Sequence, residues 1–299
     1  MNAWVGIDGE VVPGDKAFVP IFDRGFLYGD SVYEVLRTYD GVPVWLSDHL
    51  WRLQGSAQRL GFERFPTLAV IEEAVRKTLV TAAVTSDATD CYIRIVVTRG
   101  SGPIALDASV AGEPRLVVLA KDVVTPPLEA YEQGISVALV DVVRNPTDAL
   151  DPAVKSGNYL NNILALRQAK AEGADEAIMC NVEGFVSEGA SSNIFIVRDG
   201  VVRTPPVGAG ILHGITRSKI LAAADLLEIP AEQVNLEPED VKTADEVFIS
   251  SSIREVLPVA RVDAAPVGIV VPGPVTRRLH SAYRDALSAE LKSVTSPLP

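Results

Sequence analysis

The sequence predicts an α+β fold of two domains whose sheets are mostly antiparallel. Hairpin signals and helical patterns are mixed along the chain, without a regular βαβ alternation. The stretch 121–134, KDVVTPPLEAYEQG, contains a Pro-Pro pair among polar residues, which is typical of a linker. The length of 299 residues suits two moderate domains, because single cores stop growing at about 250–300 residues. We therefore expect domains at 1–120 and 135–299, joined by a linker at 121–134.

The N-terminal part combines a hairpin with helices. Asp40-Gly41 is a strong turn signal between a strand over 31–39 and a return strand over 42–46. Ser47 has the character of a helix N-cap, and an apolar stripe follows it. The patterns further predict strands at 3–7, 17–22, 91–98 and 115–120, and helices at 49–60 and 67–84.

The C-terminal part shows a second hairpin. Asp199-Gly200 separates a strand over 193–198 from one over 201–203. The patterns further predict strands at 135–143, 176–181 and 246–251, and helices at 157–172, 214–228 and 274–292.

Composition excludes several classes of partner. The net charge of −12 repels phosphate backbones, which argues against nucleic acid. Cys91 and Cys180 lie far apart in apolar runs and lack metal-ligand spacing, so we expect reduced thiols and no metal. The N-terminus is acidic and strand-like rather than a signal peptide. The apolar runs are too short to span a bilayer. We therefore expect a cytoplasmic protein that does not bind membranes.

Lys155 is the first candidate for chemistry. It stands in DPAVKSGNYLNN, between Val154 and Gly157, directly before a predicted helix. Most lysines are solvated on the surface. A lysine that faces a cavity loses hydration, and it then becomes a nucleophilic amine that can also move protons.

Glu188 is the second candidate. It lies in GFVSEGASSNIF among small residues, which allow a flat ligand to approach the backbone closely. The ordinary alternative is an exposed carboxylate in a turn. A buried carboxylate at this position would suit a protonated ring nitrogen, which pyridoxal phosphate needs as an electron sink.

Two further segments offer anion sites. Gly214 in GILHGITRSKI opens a predicted helix, whose first N–H groups form the positive end of the helix. In EVFISSSIREVLP, a strand end offers three hydroxyl groups that either bind phosphate or cap a turn, those of Ser250, Ser251 and Ser252. Arg52 can supply a bidentate contact to phosphate, although exposed helix arginines are usually only solvated.

The motifs together resemble one family. DRGFLYGDSVYEVLRTYDG, DHLWRL, KSGNYLNN, VSEGASSNIF, ILHGITR and EVFISSS occur in the order found in class IV aminotransferases, from about Asp23 to Pro258. These enzymes depend on pyridoxal 5'-phosphate and include branched-chain aminotransferases, D-amino-acid aminotransferases and aminodeoxychorismate lyases. The resemblance implies a small N-terminal α/β domain, a larger C-terminal pseudo-barrel domain, a cofactor site between them, and a homodimer.

The resemblance also implies a role for each motif residue. Lys155 forms the Schiff base with the cofactor and moves the substrate proton, and Glu188 pairs with the pyridine nitrogen. Leu212 packs on one face of the ring, and Tyr159 approaches the phenolic oxygen. The phosphate is held by Arg52, by the N–H groups of Ile215 and Thr216, and by Ser252.

The substrate motifs are mixed. Tyr33 in VYEV is similar to the D-amino-acid enzymes, whereas the branched-chain enzymes usually have Phe-Glu-Gly there. The D-amino-acid enzymes also have an Arg and a His after Thr-Arg-Gly, and this chain has Ile104 and Leu106 near those places. Arg94 resembles a branched-chain feature. Further candidates for the substrate carboxylate are Arg37 and Arg99, and structural pairing fits at least one of these three arginines.

We therefore expect a D-amino-acid transaminase with an atypical carboxylate site, which also accepts (R)-amines and uses pyruvate or 2-oxoglutarate. An L-branched-chain transaminase, an aminodeoxychorismate lyase and a non-catalytic protein that binds pyridoxal phosphate remain alternatives.

Overall fold

The computed structural model describes residues 3–85 and 90–294, without the side chains of residues 84 and 85. The chain divides into two compact units. The first contains the chain up to Val124, the segment Val154–Asn158 and the chain from Ala289; the second contains Thr125–Ala153 and Tyr159–Ser288. The predicted domains were continuous and placed Lys155 in the C-terminal one, whereas its segment clusters with the first unit because it runs along a strand there.

The first unit is an antiparallel sheet with two long helices on one face. Its strands, within the described residues, are β1 (Ala3–Ile7), β2 (Glu10–Pro13), β3 (Ser31–Tyr39), β4 (Val42–Pro43), β5 (Cys91–Thr98) and β6 (Arg115–Asp122). Its helices are α1 (Arg24–Tyr28), α2 (Leu46–Arg59) and α3 (Leu68–Thr85). The strand order is β2-β1-β6-β5-β3-β4. Leu53 of α2 and Ile71 of α3 pack against Leu36 and Ile93 of the sheet, and all four are buried.

The second unit is built on a larger sheet. Its described strands are β7 (Ile135–Val140), β8 (Glu176–Cys180), β9 (Val186–Gly189), β10 (Asn193–Arg198), β11 (Val201–Thr204), β12 (Ala231–Gln233), β13 (Glu246–Ser251), β14 (Glu255–Val262) and β15 (Ala265–Pro266). Its helices are α4 (Leu128–Gln133), α5 (Leu160–Ala171), α6 (Ile215–Leu226), α7 (Pro238–Lys242) and α8 (Pro274–Ser293), the last of which runs into the first unit from Ala289.

The larger sheet curls back on itself. The strand order is β12-β11-β10-β13-β14-β7-β8-β9, with β15 on β14. Only three residues join the end of β9 to the start of β10, although the two strands are far apart in that order. So short a connection requires the sheet to curl toward a barrel. The predicted α+β class and pseudo-barrel are thus confirmed.

Both predicted hairpin turns are confirmed. Asp40 and Gly41 have φ of 50° and 77° between β3 and β4, and Asp199 and Gly200 have φ of 52° and 76° between β10 and β11. Two-residue hairpin turns with both φ values positive match the twist of the flanking strands, which explains why Asp-Gly predicts them.

Several boundaries differ from the predictions. The strand expected at 17–22 is absent, because Pro20 lacks an N–H group and accepts a turn hydrogen bond from Asp23. The return strand after the first hairpin ends at Pro43, and the helix begins at Leu46 with Trp45, rather than Ser47, as its N-cap. The helix expected over 157–172 begins only at Leu160. The predicted linker contains the short helix α4.

Candidate active site

The segment that carries Lys155 lies along β3 in the first unit. The N–H of Tyr33 donates to the carbonyl of Lys155 over 2.9 Å, and the N–H of Gly157 donates to the carbonyl of Ser31 over 2.8 Å. The N–H of Lys155 donates to Oγ of Ser56 on α2 over 3.2 Å. The backbone on both sides of Lys155 is therefore fixed, and its half-buried side chain starts from a defined position.

Tyr33 is the aromatic neighbour of Lys155. Its ring is 3% exposed, and Nζ of Lys155 lies 4.5 Å from the ring centroid. The guanidinium of Arg94, on β5, lies 3.9 Å from the same centroid. Cations within about 6 Å of an aromatic face are attracted to it. The sequence candidates Tyr33, Arg94 and Lys155 are thus brought together.

Arg52 is held by a buried carboxylate that the sequence analysis did not single out. Nε and Nη2 of Arg52 each donate to Glu34 over 2.7 Å, and Nδ1 of His49 lies 2.7 Å from the same carboxylate. Glu34 is fully buried on β3, whereas His49 and Arg52 lie on one face of α2. These two hydrogen bonds from Arg52 use two of the five N–H donors that a guanidinium has.

The charge of Glu34 persists despite its burial. Burial by itself raises the pKa of Glu34, but the charge of Arg52 and the hydrogen bonds from Arg52 and His49 outweigh it, and the pKa falls from 4.5 to about 2. For His49, burial prevails over the attraction of Glu34 and lowers the pKa below 6.5. An ionised carboxylate only accepts, so Nδ1 of the neutral His49 carries its hydrogen.

Arg37 and Arg99 are engaged in structural pairs. Arg37 pairs with Asp90 over 3.3 Å and lies 4.2 Å from the ring centroid of Tyr39. Arg99 donates to Asp30 and to the carbonyls of residues 60 and 61. Structural pairing thus describes these two arginines, and we keep Arg94 as the candidate for the substrate carboxylate.

Arg24 fixes a loop near the end of β5. Its buried guanidinium pairs with Asp30 over 2.9 Å and donates to the backbone carbonyls of residues 105, 106 and 107 over 2.7–3.3 Å. Ile104 and Leu106 lie in this loop and are 73% and 84% exposed. The loop is therefore held by its main chain, and it presents two apolar side chains to solvent.

Glu188 lies on β9 in the second unit and is 5% exposed. Arg144 donates from Nε and Nη2 to Oε1 of Glu188, over 3.0 and 2.8 Å. Oε2 accepts from the N–H of Leu212 over 2.9 Å and from the amide of Asn193 over 3.4 Å. Donors around both oxygens, one of them a guanidinium, favour the charged form of a carboxylate, and a charged carboxylate suits a protonated ring nitrogen.

The start of α6 offers backbone donors near this carboxylate. The N-cap is Gly214, which has no side chain that could accept from the helix start. The first N–H groups of a helix have no partner within the helix. Ile215 and Thr216 are buried there. A Cβ at Gly214 would lie 1.9 Å from Oδ1 of Asn193, which shows how closely the helix start approaches β10.

A hydroxyl group without a hydrogen-bond partner lies opposite Asn193. Ser250 pairs with Asn193 across β13 and β10, and its buried Oγ has no hydrogen-bond partner among the described residues. Buried polar groups usually have one. Oγ of Ser251 accepts from the N–H of Arg254 and closes the turn, and Ser252 follows in the same turn.

Each unit by itself contains groups of the kind that pyridoxal phosphate needs. The second unit has a buried carboxylate that accepts hydrogen bonds, backbone N–H groups at a helix start, and a hydroxyl group with no partner among the described residues. The first unit has a lysine with a fixed backbone and an arginine oriented by Glu34. Tyr159 lies four residues after Lys155 in the chain, and it is the N-cap of α5.

Sequence reasoning missed Glu34, His49, Arg144 and Asn193. Each acts through a partner distant in sequence, such as Glu188, which lies 44 residues after Arg144. The signal for Glu34 was available, because a carboxylate in the apolar strand SVYEVLRTY requires a cation, and Arg52 was already a candidate.

Comparisons with known proteins agree with the motifs. The family model described as amino-transferase class IV matches residues 31–262. The "Putative branched-chain-amino-acid aminotransferase" of Methanocaldococcus jannaschii is 41% identical over 281 residues, which cover 93% of this chain and 94% of that protein. The D-alanine aminotransferase of Bacillus licheniformis is 31% identical over 283 residues, covering 95% and 96%.

Solved structures show the same fold. The crystal structure of the Escherichia coli branched-chain amino acid aminotransferase matches with a TM-score of 0.90 at 31% identity, covering 98% of this chain and 97% of that one. Within residues 3–85 and 90–294, no helix is long and apolar enough to cross a membrane. The same residues contain no cluster of His, Cys, Asp and Glu side chains suited to a metal ion.

Proposed function

This chain belongs to the class IV aminotransferases, which depend on pyridoxal phosphate, and from that premise we propose that it transfers the amino group of a branched-chain L-amino acid to a 2-keto acid. Pyruvate and 2-oxoglutarate are the proposed acceptors. The proposal reverses the order of preference expected from the motifs alone. Its support is the greater identity to the Methanocaldococcus jannaschii relative and the branched-chain enzyme among the structural neighbours.

The observation that carries this proposal is the position of Arg94. Its guanidinium lies over the ring of Tyr33, the same ring that Lys155 contacts, and an arginine there can bind a substrate carboxylate. Ile104 and Leu106 occupy the places where the D-amino-acid enzymes have an Arg and a His, and neither can bind an anion. A site in which Arg94 binds the carboxylate, and in which Ile104 and Leu106 stand in place of charged residues, suits an amino acid with an apolar side chain.

The residues have distinct roles in this proposal. The amine of Lys155 would take the proton from the α-carbon of the substrate and hold it for return. Glu188, as a carboxylate, would accept a hydrogen bond from the protonated ring nitrogen, and Arg52 and the start of α6 would bind the phosphate. When bound, pyridoxal phosphate supplies the electron sink.

The direct test is a set of half-reactions. We would mix the yellow holoenzyme separately with L-leucine, L-valine, D-alanine, D-glutamate and (R)-1-phenylethylamine, and follow conversion of the cofactor to the pyridoxamine form by absorbance. We expect conversion with L-leucine and L-valine. Conversion with D-amino acids alone would contradict the proposal.

A variant tests the role of Arg94. Arg94→Met should raise KM for L-leucine by about 10- to 150-fold, because it removes a charged hydrogen bond of roughly 1.5–3 kcal/mol. KM for an amine without a carboxylate should change little. Arg64→Met removes an exposed pair with Glu113 in the same unit and serves as the control. Equal effects on both substrates would remove Arg94 from the carboxylate site.

A D-amino-acid transaminase with (R)-amine activity is the second candidate. The observation that favours it is Tyr33, which lies beside Lys155 in the VYEV context typical of the D-amino-acid enzymes. Under this alternative Tyr33→Phe raises KM for D-alanine more than for (R)-1-phenylethylamine. An aminodeoxychorismate lyase would react with none of the five amines.

We also propose a cytoplasmic homodimer. The first unit exposes five apolar side chains within ten residues: Phe18, Val19, Ile21, Phe22 and Phe26. Contiguous exposed apolar surface is typical of an interface. Cys91 and Cys180 are free thiols, which is compatible with a reducing compartment.

A further inference from the structure

Arg144 lies in a loop, but its side chain is buried rather than exposed to solvent. It follows β7, its side chain is 6% exposed, and its N–H donates to the carbonyl of Cys180 over 2.8 Å. Nε and Nη2 both donate to Oε1 of Glu188. A buried arginine is rare unless it is paired, so its purpose lies in its contacts.

Two asparagines of the NYLNN motif hold the other end of this guanidinium. Nη1 of Arg144 donates to Oδ1 of Asn161 over 3.0 Å and to Oδ1 of Asn162 over 3.3 Å. The amide nitrogens of the asparagines donate to carbonyls, that of Val143 over 2.8 Å and that of Ala190 over 2.9 Å. Because each amide nitrogen is engaged, each amide oxygen is turned toward Arg144.

The network therefore links two motifs that the sequence shows separately. The asparagines follow Lys155 by six and seven residues, and Glu188 belongs to VSEGASSNIF. Arg144 joins them through four hydrogen bonds, and a guanidinium held at both ends cannot turn away from Glu188.

We propose that Arg144 is a positioning residue that keeps the ring nitrogen of the cofactor protonated by stabilising Glu188 as a carboxylate. This rests on the proposed pairing of Glu188 with that nitrogen. One proton lies between the two groups, and it is bound either to the nitrogen, giving a cation beside an anion, or to the carboxylate, giving two neutral groups. A cation on the far side of Glu188 favours the first arrangement.

Removal of Arg144 would change the protonation equilibrium between Glu188 and the ring nitrogen. Without Arg144, Glu188 would lose the guanidinium that donates to it, although the charge of Arg217 also acts on Glu188, and buried charges with too few partners become neutral. An opposite charge within about 4–6 Å moves a protonation equilibrium by about one to three powers of ten. Loss of Arg144 would therefore move the proton from the ring nitrogen to the carboxylate and weaken the electron sink.

The test is the 15N chemical shift of the ring nitrogen in holoenzyme loaded with 15N-labelled pyridoxal phosphate. We expect the protonated value for the wild type and for Arg144→Lys, and a shift toward the unprotonated value for Arg144→Met. Arg144→Gln keeps a hydrogen-bond donor without the charge and should shift likewise; it replaces the Met variant if that protein does not fold. Arg203→Met, which removes a surface pair with Glu232, should leave the signal unchanged.

Kinetics give a second readout. Arg144→Met should lower kcat by about tenfold or more while KM changes little, because the substrate contacts remain. A protonated ring nitrogen in both neutral variants would overturn the proposal.

Glu188→Gln separates this failure from failure of the pairing itself. If that variant loses the protonated signal and the Arg144 variants keep it, only the role of Arg144 is wrong. If Glu188→Gln also keeps it, the pairing of Glu188 with the nitrogen is wrong, and the proposal fails with it.

Discussion

At the scale of single residues, the first unit keeps a negative charge where water does not reach it. Glu34 is fully buried, and its charge is stabilised by Arg52 and His49 on the neighbouring helix. The same contacts orient Arg52, so one carboxylate contributes both to stability and to the geometry of the proposed phosphate contact. Removal of one partner of a buried pair is costly, because the other charge remains buried.

The pKa of Glu34 predicts a specific sensitivity to acid. Its value of about 2 in the folded protein lies below the ordinary 4.5, so the unfolded chain takes up this proton first as the pH falls. The stability from Glu34 is thus complete above about pH 4.5 and is lost between pH 4.5 and 2, at a cost of roughly 3 kcal/mol.

Glu34→Gln should therefore flatten the dependence of Tm on pH in this range, and melting curves of the holoenzyme would measure it. Glu113→Gln, which removes an exposed carboxylate, is the control. Parallel curves for wild type and Glu34→Gln would show that Glu34 is not the titrating group.

Lys155 allows the most direct prediction. Lys155→Ala should abolish the half-reaction and the linkage that borohydride fixes, because no other amine replaces the lost one. Peptide mapping of the reduced wild-type protein would locate the cofactor. Lys121→Ala, a second lysine beside a tyrosine ring of this unit, should behave as wild type. A reduced cofactor found on a different lysine would disprove the assignment.

At the scale of elements, the start of α6 is fixed by close approach to β10. Gly214 has room for no side chain, because a Cβ would overlap Asn193, and Asn193 contacts both Glu188 and the carbonyl of Leu212. The helix start that we propose binds the phosphate and the carboxylate of Glu188 are thereby linked through one asparagine.

Gly214→Ala should consequently weaken cofactor binding. The helix start must shift away from Asn193, and loss of one or more hydrogen bonds to a charged phosphate raises the dissociation constant by roughly tenfold or more. Titration of the apoenzyme with pyridoxal phosphate, followed by absorbance, measures this. Gly208→Ala is a matched control in the same unit, since a Cβ there meets nothing within 4 Å. Equal affinities for the two variants would rule out the close approach as a determinant.

The elements also show where sequence patterns suffice. The turns at Asp40 and Asp199 were predictable because two adjacent positive φ values require particular residues. β14 was missed because Pro258 lies inside it, and a proline argues against a strand. Among the candidate residues, Lys155 and Glu188 lie in recognisable motifs, whereas the role of Arg144 becomes visible only through partners that the fold brings near.

At the scale of the whole molecule, each unit has its own sheet and its own buried core. The first unit nevertheless leaves a run of large apolar side chains in solvent, and Phe26 is 65% exposed. Such a run lowers solubility unless another surface covers it.

A charge in this run tests the proposed homodimer. Phe26→Asp should convert the dimer to monomers, because burial of an unpaired carboxylate in an apolar interface is unfavourable. Analytical ultracentrifugation would measure the mass of both proteins. Leu128→Asp changes a comparably exposed residue of the second unit and should leave the mass unchanged. A monomeric wild type would refute the homodimer.

The hydrogen bonds from Arg24 to main-chain carbonyls separate the backbone of the loop at 101–107 from the chemistry of its exposed side chains. Because these hydrogen bonds go to the backbone of residues 105–107, they do not depend on the exposed side chains of Ile104 and Leu106. Ile104→Arg combined with Leu106→His should therefore fold with an unchanged Tm, and a lower Tm would contradict this. Substitutions at Ile104 and Leu106 can then change the chemistry of this loop while the hydrogen bonds of Arg24 stay in place, and relatives with different substrates can diverge at these two positions on the same scaffold.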